Sequence, residues 1–595
     1  MKYKVSEKLD KKTEKELQNY PELTRKLLSN RGIKTAKDAG DFLNLDYEKH
    51  THDPFLMKGM KKAVKGILDV IKNDEKIVIF SDYDMDGIPG AVAFHDFFKK
   101  IKYENFINYI PHRNKEGFSL NKTAIKEFSE NNTKLLITID CGITNVEEVK
   151  LANKLGIDVI ITDHHLENSH IPKAFAILNP KQKDESYPFK NLCGAGVIFK
   201  LIQALIKKGN EEKMFEINNG WEKWLLDMVG MATIADMVPL VGENRIFAYY
   251  GLKVLKKSPR VGLVKLLKKI GVNQDTLSED DIGFMIGPRI NAASRMDVPM
   301  EAFNLLTTTD EVEADRLALH LNKINNERKG VVASIIKEIK KNYKHREDRG
   351  IIVMGDPRWS PGLVGLACNT LTENYKKPVF LWGRDENSVI KGSCRSDGVL
   401  DLVELMTEMK TEIFIEYGGH SFSGGFSVQN EKIHFLEEEL NLAHERLKNK
   451  KQDKSVKIKK DLPAQAGKIL VDDELSIDDI NFEKYSQIET MSPFGEGNPR
   501  PLFLFRNLEI NNVSVFGKSM EHLKLEFRNS SGNKIEAISF FGLKKEESLS
   551  LENRQKINIV ANIEKSNFGR FPQLRLRIVG FFNSGGIIKF KSNSF

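Results

Sequence analysis

The sequence is poor in cysteine and has no long apolar run. Its 595 residues contain four widely separated cysteines, without the paired spacing of a zinc site and too few for a disulfide framework. No stretch of about 18 apolar residues occurs, so no segment is expected to cross a membrane. The N-terminus, Met1–Glu7, is polar and lacks the apolar core of a signal peptide. These absences predict a reduced, cytoplasmic protein without a membrane partner.

The excess of basic residues is small but concentrated. The chain has 91 lysines and arginines against 83 acidic residues, a net charge of +8. Residues 446–460 contain eight basic residues and one acidic residue. Residues 551–595 contain eight basic residues and two acidic residues, interleaved with six phenylalanines. Basic and aromatic side chains together favour a surface that neutralises phosphates and stacks bases. A solvated linker followed by an ordinary β-core explains the same composition, and both interpretations stay open at this point.

Short apolar runs that alternate with helical segments predict a parallel sheet. Lys76–Ser81, Leu135–Ile139 and Asp158–Thr162 are continuous apolar strands, and helical spacing follows the first two at Ala91–Lys100 and Val146–Leu155. Strands without polar alternation are typical of a parallel sheet that is covered on both faces. The sequence therefore predicts an α/β domain in this part of the chain.

The rest of the sequence predicts a long helix, a second α/β domain, a β-barrel and an N-terminal helical arm. Residues 311–345 indicate a long charged helix, and strand signals resume at 350–354 and 378–382, which indicates a second α/β domain. From about residue 463, short strands alternate with turns such as Asn529–Asn533, a pattern typical of a small all-β barrel. The first fifty residues are expected to form a helical arm.

Acidic and imidazole side chains follow each of the three early strands. The first strand runs into Asp82, Asp84 and Asp86, the second into Asp140, and the third into the triplet Asp163-His164-His165. Because the carboxyl ends of parallel strands form the sites of open α/β sheets, these side chains are expected to lie together. Such a crowd of carboxylates needs a cation, and oxygen ligands with imidazole suit Mn²⁺ or Mg²⁺, with room for two ions about 4 Å apart. Helix caps and turns alone are the structural alternative.

Asp236 is a further candidate on different grounds. It follows the almost wholly apolar segment Gly230–Ala235, which is an expensive setting for an unpaired carboxylate. Taken alone, a carboxylate in this position is more often a helix cap than a metal ligand.

These motifs resemble those of the DHH phosphoesterase superfamily. The Asp-x-Asp-x-Asp-Gly at 82–87 and the Asp-His-His at 163–165 carry the resemblance. Within the superfamily, the chain is similar to the RecJ family of 5′→3′ exonucleases specific for single-stranded DNA, through a series of further motifs along nearly the whole chain. These further motifs lie at 52–55, 235–240, 287–293, 392–396, 418–420 and 493–499.

The resemblance implies roles for individual residues. The metal ligands it implies are Asp84, Asp86, Asp140, His164 and Asp236. His165 would act at the scissile phosphate, with Asp82 close by. The DNA contacts it implies are Arg113, Arg289, Ser393, Arg395 and His420. Among these, Arg395 has support from the residues themselves, because its Gly-Ser-Cys-Arg-Ser loop suits bidentate phosphate binding. We expect Arg113, Ser393 and Arg395 on the 5′-phosphate side.

The implied fold is α/β. It has a parallel-sheet DHH domain joined by a long helix to a second, smaller α/β domain, followed by a C-terminal OB-type β-barrel. The expected boundaries are 1–50 for the helical arm, 51–310 for the catalytic domain, 311–345 for the connecting helix, 346–445 for the second domain, 446–462 for a basic linker and 463–595 for the barrel.

The implied activity is that of a metal-dependent phosphodiesterase. It would release 5′-mononucleotides from single-stranded DNA in DNA repair and recombination, with Mn²⁺ or Mg²⁺ as cofactor and two ions in the site. The expected partners of the monomeric chain are single-stranded DNA, a helicase and a single-strand-binding protein. Two alternatives stay open. A phosphodiesterase of the same superfamily for short RNA or cyclic dinucleotides would not need the barrel. A non-catalytic DNA-binding relative would be expected to have lost acidic residues that are present here.

Overall fold

The computed structural model forms two compact units. One contains residues 1–46 and 458–595, and the other contains residues 47–457. The described residues are 2–343, 349–386, 388–396, 398, 400–409, 412–453, 468–517, 520, 522–540, 551–566, 571–583 and 589–590. Residues 454–462 of the predicted basic linker, and the predicted Phe568 and Phe595, lie outside them. None of the described helices combines the length and the apolar composition that crossing a bilayer requires.

Residues 2–46 form one strand and three helices. They are β1 (Lys2–Val5), α1 (Lys11–Glu16), α2 (Glu22–Asn30) and α3 (Ala36–Leu43). Leu23 and Leu27 lie four residues apart on α2 and are buried on the same face, as an amphipathic helix requires.

The unit of residues 47–457 contains a five-stranded parallel sheet. Its strands are β2 (Lys76–Ser81), β3 (Phe106–Tyr109), β4 (Thr133–Ile139), β5 (Asp158–Thr162) and β6 (Ala176–Leu178). Their order is β3-β2-β4-β5-β6, and each neighbouring pair is parallel. The three predicted strands are confirmed, and their apolar residues are buried on both faces of the sheet.

Helices cover both faces of this sheet. The helices of this part of the chain are α4 (Tyr47–His50), α5 (Met60–Lys72), α6 (Gly87–Lys100), α7 (Lys122–Glu130), α8 (Val146–Lys154), α9 (Gly194–Glu211), α10 (Leu226–Ala235), α11 (Gly242–Leu255), α12 (Val261–Ile270), α13 (Glu279–Asp281), α14 (Gly287–Met296) and α15 (Met300–Thr307). Of these, α5 to α9 pack against the strands. On one face, Ile125 of α7 and Val149 of α8 pack with Phe80 and Leu136. On the other face α6 lies close to β4, since a Cβ at Gly90 would come within 2.9 Å of Ile139 Cγ2.

A long helix leads to a second sheet in the same unit. The helix is α16 (Glu311–Tyr343), as predicted. The elements that follow are β7 (Ile352–Gly355), α17 (Pro361–Tyr375), β8 (Val379–Arg384), β9 (Ile390–Arg395), α18 (Leu402–Thr407), β10 (Phe414–Gly419), β11 (Ser423–Val428) and α19 (Leu436–Asp453). The sheet order is β10-β11-β9-β8-β7, with only β7 and β8 parallel. Residues 446–453 of the predicted linker continue α19.

The last part of the chain is a mixed sheet. Its elements are β12 (Lys468–Val471), β13 (Asp473–Glu474), α20 (Phe482–Glu489), β14 (Phe503–Glu509), β15 (Asn512–Phe516), β16 (His522–Arg528), β17 (Lys534–Ser539), β18 (Lys556–Ser566), β19 (Gln573–Asn583) and β20 (Lys589–Phe590). Seven of the strands follow the order β13-β14-β18-β19-β17-β16-β15, and an eighth, β20, pairs with β19.

The N-terminal helices share a core with this C-terminal sheet. Leu23 and Leu27 belong to one buried cluster with Phe505 and Phe527. β1 pairs in parallel with β12, so residues about 465 positions apart in the chain form one small sheet. Segments from both ends of the chain therefore build one compact unit.

Candidate active site

Three aspartates stand side by side where neighbouring strands end. Asp82, Asp140 and Asp163 each follow the last residue of β2, β4 and β5. Their backbone N–H groups donate to Ile139 O, Thr162 O and Leu178 O at 2.9–3.1 Å, which extends the parallel ladder past the strands. Continued strand pairing therefore brings the three predicted motifs to one edge of the sheet.

The turn after β2 depends on tight local contacts. Asp84 Oδ1 accepts hydrogen bonds from the N–H groups of Asp86 (2.8 Å) and Gly87 (3.2 Å), which begins α6. A Cβ at Gly87 would lie 2.4 Å from Asp82 O, so a larger residue could not occupy this position without moving the backbone. The glycine allows the chain to turn sharply enough for three aspartates to share the site.

The N-terminus of α9 holds Asp86. The N–H groups of Gly194 and Ala195 donate to Asp86 Oδ2 and Oδ1 at 2.6 and 2.7 Å. The positive end of this 18-residue helix suits a carboxylate. A Cβ at Gly194 would lie 2.6 Å from Asp140 Cβ, so the close approach of the helix requires glycine.

His164 stands at the centre of the carboxylates. Its Nε2 lies 3.1 Å from Asp140 Oδ1, 3.6 Å from Asp86 Oδ2 and 3.7 Å from Asp236 Oδ2. Asp236 reaches the cluster from the end of α10. The structure thus brings together the five residues predicted as metal ligands, with Asp82 beside them.

The donor atoms of the cluster fit divalent cations. Ligand atoms of Asp86, His164 and Asp236 lie within 4.8 Å of one another, as do those of Asp82, Asp84 and Asp140. Asp82 Oδ1 and Asp140 Oδ1 are buried and accept no hydrogen bond from the described residues. Buried carboxylate oxygens of this kind are costly unless they are paired or bind a metal. Two adjoining sets of oxygen donors with one imidazole suit Mn²⁺ or Mg²⁺.

Burial and mutual repulsion shift the pKa values of the metal-free cluster. Burial, followed by the charges of Asp86, Asp84 and Asp82, raises the pKa of Asp140 well above its usual range. Burial and the neighbouring carboxylates raise the pKa of Asp236 to about 9 and that of Asp86 to about 6. Burial and the adjacent His165 lower the pKa of His164 to about 3, so its imidazole is neutral and can serve as a ligand. Cations would relieve this repulsion.

Asp163 orients His165 and is not placed as a ligand. Its Oδ1 accepts hydrogen bonds from the N–H groups of His164 and His165 and lies 2.7 Å from His165 Nδ1, and its Oδ2 accepts from Ile143 N–H. Burial is the largest single influence on the pKa of His165 and lowers it, but the hydrogen bond to Asp163 and the charges of Asp163, Asp86 and Asp236 together raise this pKa to about 9. His165 is therefore protonated at neutral pH in the metal-free chain, and its Nε2 makes no hydrogen bond with the described residues.

A glycine face on α17 brings three predicted phosphate contacts together. A Cβ at Gly362 would lie 3.7 Å from Arg113 Nε. A Cβ at Gly365 would lie 3.2 Å from Ser393 Oγ and 3.5 Å from Arg395 Nη2. Residues three apart share one helix face, so the two glycines leave the same side of α17 without side chains. Arg113, Ser393 and Arg395 thus line one helix near its N-terminus, which favours an anion.

The other two predicted DNA contacts are Arg289 and His420. Arg289 on α14 donates from Nε to Asn322 Oδ1 at 3.0 Å and from Nη1 to Met285 O at 2.5 Å. His420 is exposed in the turn after β10, and its N–H donates to Ser423 O at 2.8 Å. Ser423 is the register partner of Arg395, so His420 follows the same end of the second sheet.

Sequence reasoning missed two residues near the site. Arg295 donates from Nη1 to Gly362 O at 2.7 Å and so ties α14 to α17. The ring of Phe118 is 55% exposed and stands edge-on, 6.3 Å from the rings of both Tyr83 and His165. Arg295 lies directly beyond the 287–293 motif, which is the one signal that could have identified it. Nothing in the sequence around Phe118 marks it.

Family models match three parts of the chain. They are the DHH family N-terminal domain at residues 76–233, the DHHA1 domain at 347–451 and the RecJ OB domain at 471–580. All three lie in the order that the resemblance predicts.

Curated relatives and solved structures match along most of the chain. The single-stranded-DNA-specific exonuclease RecJ of Bacillus subtilis is 34% identical over 93% of this chain and 67% of its own length. The protein with the same description from Haemophilus influenzae is 29% identical over 88% and 89%. A crystal structure of RecJ from Thermus thermophilus in complex with Mn²⁺ aligns with a TM-score of 0.78 at 22% identity, covering 98% of this chain and 80% of that one. An exonuclease RecJ bound to manganese aligns at 28% identity with a TM-score of 0.57, over 67% and 97%.

Proposed function

Because the chain belongs to the RecJ family of single-stranded-DNA-specific exonucleases, we propose that it degrades single-stranded DNA from the 5′ end and releases 5′-mononucleotides. One observation carries this proposal. The carboxylate–histidine cluster and the glycine face of α17 with Arg113, Ser393 and Arg395 lie in the same compact unit, where Arg295 ties α14 to α17. One site can cleave a phosphodiester while the other holds a terminal phosphate.

The cofactor is a divalent metal ion, and we propose two ions in the cluster. Asp84, Asp86, Asp140, His164 and Asp236 would hold them, with Asp82 beside the set. When bound, the ions supply an activated water and neutralise charge on the scissile phosphate and on the leaving 3′-oxygen.

The chain's own residues orient the reacting groups. His165, held by Asp163 through Nδ1, presents Nε2 to the scissile phosphate and can donate a hydrogen bond or a proton there. The exposed ring of Phe118 offers a stacking surface next to His165 for the base of the terminal nucleotide.

The residues around the N-terminus of α17 would select the 5′ end of the strand. Arg113 and Arg395 provide charged donors, and Ser393 and the helix N-terminus provide neutral ones, which together suit the doubly charged terminal phosphate. An internal phosphodiester carries one charge and a further nucleotide, so it fits such a cradle less well. Arg289 and His420 would contact the strand further along.

The C-terminal sheet offers a surface that suits a single strand. The rings of Phe516 and His522 lie 5.0 Å apart, and His522 and Phe540 lie 5.4 Å apart. Arg575 stands 5.7 Å from the centre of the Phe540 ring. Aromatic rings with basic neighbours stack bases regardless of sequence. We propose that this surface tracks single-stranded DNA for a monomeric enzyme that acts in DNA repair and recombination with a helicase and a single-strand-binding protein.

A labelled strand tests the polarity of digestion. A 5′-phosphorylated oligonucleotide labelled at either the 5′ or the 3′ end is incubated with Mn²⁺ or Mg²⁺, and with chelator as control. We expect the 5′ label to leave first as a mononucleotide, while the 3′ label remains in a shortening ladder. Early release of the 3′ label, internal cuts, or full activity in chelator would contradict the proposal.

A further inference from the structure

The loop between β3 and α7 is organised by one carboxylate outside the metal cluster. This loop, residues 110–121, is called the arginine loop here because it carries Arg113. Glu116 Oε2 accepts a hydrogen bond from His112 N–H at 2.7 Å, and Oε1 accepts from Asn121 Nδ2 at 3.2 Å and from the Tyr109 hydroxyl. Burial, followed by the bond to Glu116, raises the pKa of Tyr109, so the phenol keeps the proton that it donates.

The three partners of Glu116 stand at both ends of the loop. Tyr109 is the last residue of β3, and Asn121 is the N-cap of α7, where its Oδ1 accepts from Ala124 N–H. His112 directly precedes Arg113. One carboxylate therefore closes the loop on itself, while Ser119, which donates to Asn145, ties its far end to the segment after β4.

The arginine loop supplies two groups to the candidate active site. The Arg113 guanidinium lies 5.2 Å from the centre of the Tyr83 ring and next to Gly362 of α17. Phe118 stands beside His165. A loop of this length samples many conformations unless specific bonds restrain it. Misplacing a positioning group by about 1 Å can cost about 100-fold in rate.

We infer that Glu116 is a positioning residue that fixes Arg113 and Phe118 relative to the catalytic cluster and so determines how strongly the enzyme prefers a 5′-phosphorylated end. This inference rests on the proposed function. Glu116 is not a member of the metal cluster. It acts through the backbone at His112 and through the two ends of the loop.

Substitutions at Glu116 test the inference through end preference. Glu116→Ala should lower kcat/KM on a 5′-phosphorylated strand by about 10- to 100-fold, and on a 5′-hydroxyl strand by much less. Glu116→Gln should be intermediate, because its one carbonyl oxygen can accept from Tyr109 and Asn121 while its amide faces the His112 donor. Glu130→Ala, an exposed glutamate on α7, is the matched control and should leave the ratio of the two rates unchanged.

A double variant and hydrogen exchange separate positioning from general stability. If Glu116 acts through Arg113, the Glu116→Ala Arg113→Ala variant should discriminate ends no worse than Arg113→Ala alone. Backbone exchange in residues 110–121 should accelerate in Glu116→Ala, with Mn²⁺ affinity close to that of the unaltered chain. Unchanged exchange, an unchanged end preference, or equal losses on both ends with a lower midpoint would overturn the inference. Failure of the unaltered chain to digest from the 5′ end would instead overturn the proposed function, while the exchange data would still report on the loop.

Discussion

At the scale of single residues, Asp140 offers a direct test of the metal cluster. It is buried, faces His164 Nε2 at 3.1 Å, and has a pKa raised by burial and by its acidic neighbours. We predict that Asp140→Ala lowers the rate of hydrolysis by more than about 100-fold and weakens Mn²⁺ binding. Losing a metal ligand should cost more activity than losing a residue that only orients a ligand, which typically costs about 10- to 100-fold. The metal-free fold should survive, since one repelling charge is gone. Steady-state rates and metal titration measure both effects, and near-normal turnover at saturating Mn²⁺ would remove Asp140 from the site.

The raised pKa of Asp236 predicts that the folding stability of the metal-free chain depends on pH. Its carboxyl keeps its proton in the folded chain up to about pH 9, whereas an unfolded aspartate ionises near pH 4. Ionisation in the unfolded state therefore weakens folding progressively as the pH rises through this window. Asp236→Asn should raise the thermal midpoint in chelator at pH 8 more than at pH 5. With saturating Mn²⁺, the unaltered chain should instead have the higher thermal midpoint of the two proteins. If Asp236→Asn raises the midpoint equally at both pH values, the raised pKa of Asp236 is contradicted.

At the scale of one element, α17 combines a structural and a binding role. Gly365 is a helix-interior glycine, and alanine there should add about 1 kcal/mol of helix stability. A Cβ at this position would nevertheless lie 3.2 Å from Ser393 Oγ and crowd Arg395. We predict that Gly365→Ala does not lower the thermal midpoint but reduces the preference for 5′-phosphorylated over 5′-hydroxyl strands several-fold.

Gly330 of α16 provides the matched control for Gly365. A Cβ there meets no atom within 4 Å, so Gly330→Ala gains helix propensity alone. It should raise stability and leave end preference unchanged in the same paired-substrate assay. A change of end preference in both variants would point to a general effect of helix stability and not to the glycine face of α17.

At the scale of the whole molecule, the two compact units suggest how to separate cleavage from strand tracking. Residues 1–46 share a core with the C-terminal sheet, so removing residues 458–595 alone would expose Leu23 and Leu27 of α2. The fragment 47–457 should fold and cut short oligonucleotides, whereas the fragment 1–457 should be less soluble.

The salt dependence of binding measures how much the unit of residues 1–46 and 458–595 contributes to the affinity for single-stranded DNA. Each neutralised phosphate of single-stranded DNA adds about −0.7 to the slope of log affinity against log salt. The fragment 47–457 should bind long strands more weakly than the full chain and with a shallower slope. Equal affinity and slope for both proteins would exclude strand tracking by the C-terminal sheet, and a uniform loss of activity on every length would assign it a supporting role.

Much of the fold and the centre of the site follow from local sequence patterns. Apolar runs of five or six residues determine β2, β4 and β5, because a strand buried on both faces needs no polar position. Since parallel strands end at one edge, the aspartates after them and the Asp-His-His triplet had to converge, and the structure places them together. Local pattern and the order of motifs thus sufficed for the fold class and the family, and they allow the ligand set to be proposed.

Other features depend on contacts between segments that are distant in sequence. Asp236 joins the cluster only because α10 ends beside His164, and Arg295 meets Gly362 across 67 positions. The pairing of Lys2–Val5 with Lys468–Val471 has no local signal, so the sequence predicts only a helical arm for the first residues. Glu116 is one of many glutamates in the sequence, and only its three hydrogen bonds distinguish it. Periodicity reports which face of an element is buried, whereas the partner of that face is decided by packing in three dimensions.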